Sequence, residues 1–507
     1  MGSGQCGLTK LCPRLSATHV SMKKPHNEKT DNGQSWLATF GLLAIAVGLG
    51  TIFRHWSGQS NLNNHVPEFV ALALLAGVLY LCGVYLVERF HLGAPALLVI
   101  LAGAVVFRLY LLPLDPPPLS DDLYRYQWDG RVQRAQINPY TVTPALPGVG
   151  RFEDPAHPIR AARDIPAVYP PFSEFTFSWV CTVAGYKRLF TGLDLATVLV
   201  ILLMLAALGK PLHRVLTYAW NPTVIVAFAL CGHHDSLAIF TLATACLLIL
   251  AQRWSLSFVL LALSFLSKFF PGVLLPVFLA TVQRGREAPS AETVPAVQDR
   301  HLRPEAEVHG RRQANQLSVR WVKALASLWP YLTVFAAVVL IAYLPYAGAG
   351  RSLLTGLSRY AAGWEANDST FRLLRLAGNS RSQAKLIAGV VLLGLMVYVL
   401  GKRMELLRAC LFLLAGLLLL SSNAFPWYFT WSIPFLCFYP SVPWLLMSVT
   451  AALGYTPVVA YAAGQPYIHS PFILALEYAP VYLWLCYQGW TEVRQEPRPS
   501  RRSDSES

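Results

Sequence analysis

Between two strongly apolar stretches, residues 120–144 read SDDLYRYQWDGRVQRAQINPYTVTP, which crowds Asp121, Asp122, Tyr124, Arg125, Trp128, Asp129, Arg131, Asn138 and Tyr140 into one polar segment. A plain connector between membrane spans needs no such inventory, so the segment is read as the seat of chemistry at a membrane surface. Paired carboxylates suit transfer to a hydroxyl group. One takes the proton as the new bond forms, and a like charge beside it raises its affinity for that proton. Asp122, with its neighbour Asp121, is therefore the candidate base. The same two residues, directly after the Pro116-Pro117-Pro118 stop, also fit the opening of an interfacial helix, with Ser120 or Asp121 as its cap. Arg125, Asp129 and Arg131 read either as substrate contacts or as an exposed ion-pair face of that helix. Tyr124, Tyr126 and Trp128 suit the amphipathic belt at a membrane interface, and Tyr124 and Trp128 are also candidate sugar contacts. Asn138-Pro139-Tyr140 and Tyr169-Pro170-Pro171 are turn formers at either end of the loop.

Three further polar insertions fall in apolar surroundings. Gly232-His233-His234-Asp235 interrupts a helical run with two imidazoles and a carboxylate, and polar groups at membrane depth are costly enough to mark a site. Consecutive ligands rarely converge on one ion, so contacts to a substrate or phosphate, or a helix-end cap, are preferred over a metal. Lys268 stands alone in LSFLSKFFPGVLL, where its charge must either snorkel to water or meet an anion. The third is Trp364-Glu365-Ala366-Asn367-Asp368-Ser369, with Trp364 and Asn367 as candidate contacts from a second outer loop, 347–385. Trp427 and Tyr428 open a late apolar run and read as an interface belt or a ligand clamp.

The elements that must position these residues are membrane helices. Hydrophobic residues make up 54% of the 507-residue chain and charged ones 13%, against roughly 25% charged in an average soluble domain. Apolar runs approaching the roughly 20 residues of a bilayer span occur at 36–53, 68–87, 95–114, 172–190, 193–208, 215–231, 236–251, 256–282, 324–346, 386–400, 406–421, 427–438, 444–463 and 471–487. The expected fold is an all-α polytopic membrane protein of twelve to fourteen spans. A cytoplasmic arm, 1–35, expected to be disordered and not a cleavable signal peptide, precedes the transmembrane domain, 36–490, and a disordered cytoplasmic tail, 491–507, follows it. The net charge of +14 collects in the arm, the tail and the loop 283–323. Arg284, Arg286, Arg300, Arg303, Arg311, Arg312, Arg320 and Lys323 make that loop cytoplasmic by the positive-inside rule. Counting spans then puts 113–171 and the 232–235 turn outside, provided 172–208 crosses once and 256–282 forms two half-helices meeting near Lys268 and Pro271. No basic stripe interleaved with aromatics appears, which argues against nucleic acid. The nine cysteines and twelve histidines show no CxxC or HExxH spacing, no Walker A or GxSxG element is present, no GxGxxG follows a strand, and no inverted internal repeat stands out.

In their order along the chain, SDDLYRYQWDGR, NPY, VYPP, WNPTVIVAFALCGHHDSLA, LSKFFPGVLLPV, WEANDST and FPWYFTWSIPF resemble the GT-C superfamily of integral-membrane glycosyltransferases. The likeness is greatest to bacterial polyprenol-phosphate-mannose-dependent mannosyltransferases of glycosyltransferase family 87, with a fainter echo of the eukaryotic GPI mannosyltransferase I, and covers 113–435. It implies a hexosyl transfer with inversion from a polyprenyl-phosphate sugar to a lipid or glycan acceptor. The active site would face outward from a bacterial cytoplasmic membrane. The resemblance maps the base to Asp122 or Asp121, a GHxD turn to Gly232, His233 and Asp235, and an intramembrane lysine to Lys268, with Arg125 or Arg131 helping hold the leaving phosphate. No cofactor is required; a divalent metal is possible but not indicated. The family pattern places a glycine before NPY, and this chain has Gln136-Ile137 there, which bears on the acceptor more than on the reaction. The rival reading, a transporter or lipid-linked sugar flippase, explains the spans and Lys268 but leaves the outer loop idle.

Overall fold

The structure, a computed structural model, describes residues 28–59, 62–114, 119–159, 162–287 and 309–495. Helix α1 (Glu28–Ser57), α2 (Val66–Arg89) and α3 (Ala94–Leu111) form an antiparallel trio. After a polar loop holding α4 (Asp122–Arg134) and α5 (Pro171–Val180), α6 (Val183–Ala207) returns through the bundle, followed by α7 (Leu216–Ala219), α8 (Pro222–Ile225), α9 (Asp235–Leu250), α10 (Trp254–Ser267) and α11 (Leu275–Glu287). The second half comprises α12 (His309–Tyr343), α13 (Thr355–Gly363), α14 (Thr370–Leu376), α15 (Arg381–Gly401), α16 (Leu406–Leu420), α17 (Ile433–Leu436), α18 (Val442–Thr450), α19 (Val458–Ala462) and α20 (Pro471–Gln495). The described residues contain no β-strand, only two isolated bridges.

Among the described residues, seven helical stretches are long and apolar enough to cross a membrane, and three shorter apolar helices, α9, α10 and α16, accompany them. The protein is a multi-pass integral membrane protein of all-α class. Its apolar runs are thus more numerous than its long helices, because several are broken. Residues 172–208 do not divide near Leu193 as the two runs implied. The break comes earlier, at Cys181, whose φ of 60° ends α5, and α6 then runs unbroken. The run 256–282 breaks at Lys268, which adopts an extended conformation after α10. Helix α1 begins at Glu28, so the last residues of the expected disordered arm are helical. Helices α11 and α12 likewise enter the 283–323 loop from both sides. The remainder of the arm, residues 288–308 and the tail from 496 lie outside the described residues.

Buried polar contacts lock the bundle where hydrocarbon alone would leave register free. Arg108 of α3 pairs with Asp194 of α6 at 2.5 Å, both fully buried, and also donates to the Ala219 carbonyl. Losing one partner of such a pair would strand a charge in the core. Lys187 caps the end of α3 by donating to the Leu111 carbonyl, a cation at the negative end of a helix. Trp220 donates to the Ile100 carbonyl. The adjacent Asn221 caps α8 through the Thr223 and Val224 amides and reaches Ser448 of α18, so the WNPT sequence is a hinge clamped from three sides.

The bundle has two unlike ends. Glu88 meets Arg214 at 2.5 Å, Arg284 donates to the Met404 carbonyl, and Arg286 lies over Trp254. That end also carries Arg253, Lys402 and Arg403. Helices leaving it arrive at the other end, where α4, the Gly232–Asp235 turn and Lys268 gather, and where the Leu119 amide is held by Asn63 ahead of α2.

Candidate active site

Asp122 is the first residue of α4, and its amide is held by the Ser120 hydroxyl at 3.3 Å. Both readings of the acidic pair therefore have a place: Asp121 takes the cap position, without a side-chain capping bond, and Asp122 projects a carboxylate that is about one-third exposed. Directly below lies the interrupted run 226–235. Val226–Leu230 winds as one π turn, and such turns recur at functional sites because they displace the backbone that follows. Gly232 then takes φ of 70°, and a Cβ there would come within 2.7 Å of Leu123 Cδ1. Only glycine satisfies both the left-handed backbone and the close approach of α4.

This turn aims its three polar side chains in different directions. His233 is fully buried, stacks on Trp427 at 3.9 Å between ring centroids, and brings Nδ1 to 3.3 Å from Asp122 Oδ2, without the alignment of a hydrogen bond. His234 bonds through Nδ1 to the Tyr126 hydroxyl at 2.9 Å, and that hydroxyl sits 3.5 Å from Asp122. Asp235 pairs with Lys268 at 2.7 and 2.8 Å and accepts the Trp431 indole N–H at 2.6 Å. Lys268 therefore does not snorkel. It has found a protein carboxylate, and its ammonium also lies 4.3 Å over the Tyr428 ring. The short 3₁₀ segment Pro426–Trp431 puts Tyr428 and Trp431 three residues apart on one face, where they stack at 4.5 Å.

Burial alone would raise the Asp122 carboxyl. The neighbouring His233 imidazole and the charges of Lys268 and His234 outweigh it, holding the group below the ordinary aspartate range. Asp122 is thus a carboxylate at neutral pH, and its proton affinity is not raised in the way the adjacent Asp121 charge led one to expect.

Several expected contacts lie elsewhere. Arg125 and Arg131 do not face this cluster. The Arg125 guanidinium is occupied by Asp129 and by the Ala162 and Ile165 carbonyls, and Arg131 donates to the Phe152 carbonyl. Both were expected near a phosphate, yet each fastens the loop 135–170 onto α4. Trp128 is buried, donates to the Val149 carbonyl and packs under Arg125. Tyr124 stacks flat on His157. Asn138 donates to the Tyr346 carbonyl and Tyr140 to the Tyr169 carbonyl, which ties the outer loop to the segment after α12. The Tyr169 ring itself packs edge-on to Tyr126 and His234. Asn367, at φ of 51°, is buried in a network with Glu477 and the Ala424 carbonyl. Trp364 stacks on Tyr360, whose hydroxyl meets that of Tyr428 at 3.2 Å, so this loop touches the cluster at one remove.

Trp431 is not among the contacts expected from the sequence, and Tyr126 is expected only as an interfacial aromatic. Tyr126 stands four residues after Asp122 and hence on the same face of α4, a signal in the sequence itself. Trp431 lies one 3₁₀ turn beyond Tyr428, but it was hidden inside an apolar run. Among the described residues no three His, Cys, Asp or Glu side chains converge as a metal site.

Residues 34–284 match the family model described as alpha-(1->6)-mannopyranosyltransferase, N-terminal domain. The matched segment contains Asp122, the Gly232–Asp235 turn and Lys268. Neither a curated relative nor a solved structure matches the chain.

Proposed function

We propose that this chain, similar over residues 34–284 to a mannopyranosyltransferase family, moves a mannosyl group from a polyprenyl phosphate to an acceptor hydroxyl, with inversion, at the outer face of a bacterial cytoplasmic membrane. The observation that carries the reading is the half-open Asp122 carboxylate 3.3 Å from the stacked imidazole of His233 and within the electrostatic reach of Lys268, which Asp235 holds. Asp122 takes the acceptor's proton as the oxygen forms its bond to the anomeric carbon. The bond from that carbon to the lipid phosphate breaks on the opposite face, and the phosphate departs with the electron pair. Two of the three Lys268 N–H groups serve Asp235, and the third is directed toward the departing phosphate, whose charge it offsets. The step as written draws on no cofactor or metal. Basic residues at the far end of the bundle favour placing that end in the cytoplasm and Asp122 outside. A polar outer loop with a carboxylate poised for proton transfer is superfluous in a flippase, which is why transfer is preferred.

The test offers radiolabelled polyprenyl-phosphate mannose and a mannoside acceptor to the purified protein in detergent. Asp122→Asn keeps the shape and removes the base, so transfer should fall by about 10²–10⁴ with an unchanged unfolding midpoint. Parental transfer by Asp122→Asn would overturn the assignment. Lipid movement across proteoliposomes without any transfer would favour the flippase.

A further inference from the structure

The two oxygens of the Asp122 carboxylate have unlike surroundings. Oδ2 faces the Tyr126 hydroxyl at 3.5 Å and His233 Nδ1 at 3.3 Å, whereas no hydrogen bond falls on Oδ1 among the described residues. Tyr126 and His233 are both fully buried, while the Asp122 side chain is about one-third exposed. Tyr126 is held more firmly than a packing residue requires. Its ring stacks on Phe177 at 4.4 Å, and Tyr169, Tyr186, Phe190 and His234 meet it edge-on. His234 Nδ1 then pins the hydroxyl at 2.9 Å. The neighbouring Asp121 is engaged elsewhere, accepting from the Tyr461 hydroxyl at 3.3 Å.

We infer that Tyr126 and His234 are positioning residues for the base: they fix Asp122 through Oδ2 and leave Oδ1 as the oxygen that takes the acceptor's proton. The inference rests on the transfer reaction proposed above. The terminal torsion of an aspartate is soft, so an untethered carboxylate would swivel, and small misplacements of a reacting group are costly in rate. The direction of the chain follows from counting protons, since a phenol has one to give. His234 Nε2 is buried without a partner whichever nitrogen carries the hydrogen, so the choice falls on Oδ2. With the hydrogen on Nε2, Nδ1 would claim the phenol proton and Tyr126 would turn a lone pair on a carboxylate. With it on Nδ1, the imidazole donates to the Tyr126 oxygen and the phenol donates to Oδ2, which satisfies both contacts. The 3.5 Å link is longer than a settled O–H···O bond, as contacts at catalytic groups commonly are until substrate tightens them. The acceptor's proton stays on Oδ1, and Tyr126 gives up none.

Tyr126→Phe deletes the hydroxyl and keeps the ring in its aromatic box, so the unfolding midpoint should stay near the parent's. Transfer should fall about tenfold in kcat with KM little changed, the expected loss of one hydrogen bond to a charged group. The acid limb of kcat/KM should move up by about one pH unit, because a donor that favours the charged form of Asp122 is gone. Burial and the neighbours His233, Lys268 and His234, which also act on that carboxyl, remain in place. His234→Asn offers an amide N–H near the position of Nδ1 and should keep more transfer than His234→Ala. In full-length protein with isotopically labelled histidine, nitrogen NMR should find hydrogen on His234 Nδ1, with a resonance that is lost in His234→Asn and moves in Tyr126→Phe. Parental kcat and acid limb in Tyr126→Phe, in an assay where Asp122→Asn is inactive, would overturn the positioning role alone, as would hydrogen on Nε2 or a lowered unfolding midpoint with no shift of the limb. Parental transfer by Asp122→Asn would instead refute the base and the reaction step with it, whatever the histidine spectrum shows.

Discussion

Lys268→Met separates the two jobs that the structure gives this lysine. From the sequence, the substitution removes a charge from an apolar run and should leave folding intact or improved. The structure reverses that expectation, because Asp235 is fully buried and Lys268 supplies two of its three hydrogen bonds, the third coming from Trp431. Deleting the cation strands a carboxylate, and breaking a buried pair in this way costs about 3–5 kcal/mol. The double substitution Lys268→Met with Asp235→Asn removes both charges and retains an acceptor for the Trp431 N–H. It should recover most of that loss, since a neutral pair carries no stranded ion. Unfolding midpoints of detergent-solubilised protein, compared at one scan rate because such unfolding is commonly irreversible, read the stability. Donor affinity, measured on the rescued double variant, reads the function: it should fall, because the phosphate has lost its counter-charge. Lys268→Met as stable as the parent, or a double variant no more stable than the single, would refute the reasoning about the pair. Parental donor affinity in the rescued double variant would remove Lys268 from the donor site.

Two other outcomes follow from the geometry. Ser358 on α13 and Lys402 after α15 are both exposed, one at the Asp122 end and one at the basic end; in a cysteine-free background, an impermeant maleimide applied to sealed cells should label Ser358→Cys and spare Lys402→Cys, and labelling of both would reject the orientation. Burial raises the Asp129 carboxyl to about 6 against the opposing pull of Arg125, and burial together with the Asp129 charge raises Glu174 well above its usual range. The folded state therefore holds protons on this pair that the unfolded chain releases from about pH 4 upward, so its contribution to stability is complete below that and fades as pH rises through about 6. The unfolding midpoint should drop across this interval, and Glu174→Gln should flatten the slope; an unaltered slope would count against the pair.

The sequence by itself determined the class of the molecule and the places where chemistry interrupts it. Charge is so costly in hydrocarbon that Asp122, the Gly232–Asp235 turn and Lys268 stand out against their apolar surroundings, and Lys268 coincides with a helix break for the same reason: chain that leaves the helix there is flanked by Pro271 and polar backbone needing partners. What no reading along the chain could supply was the choice of partner. Asp235 and Lys268 lie on consecutive helices, α9 and α10, whose antiparallel packing brings the two residues together only once both helices have formed. Arg125 is indistinguishable in sequence from a phosphate-binding arginine until the loop 162–165 folds back and its carbonyls occupy the guanidinium. Trp431 and Tyr461 carry no local signal, since an aromatic in a membrane helix is ordinary, and their meaning comes from the residue each one touches. Tertiary structure decided these matters because side-chain hydrogen bonds and ring contacts act over a few ångströms of space, and the fold sets those distances across hundreds of residues of chain.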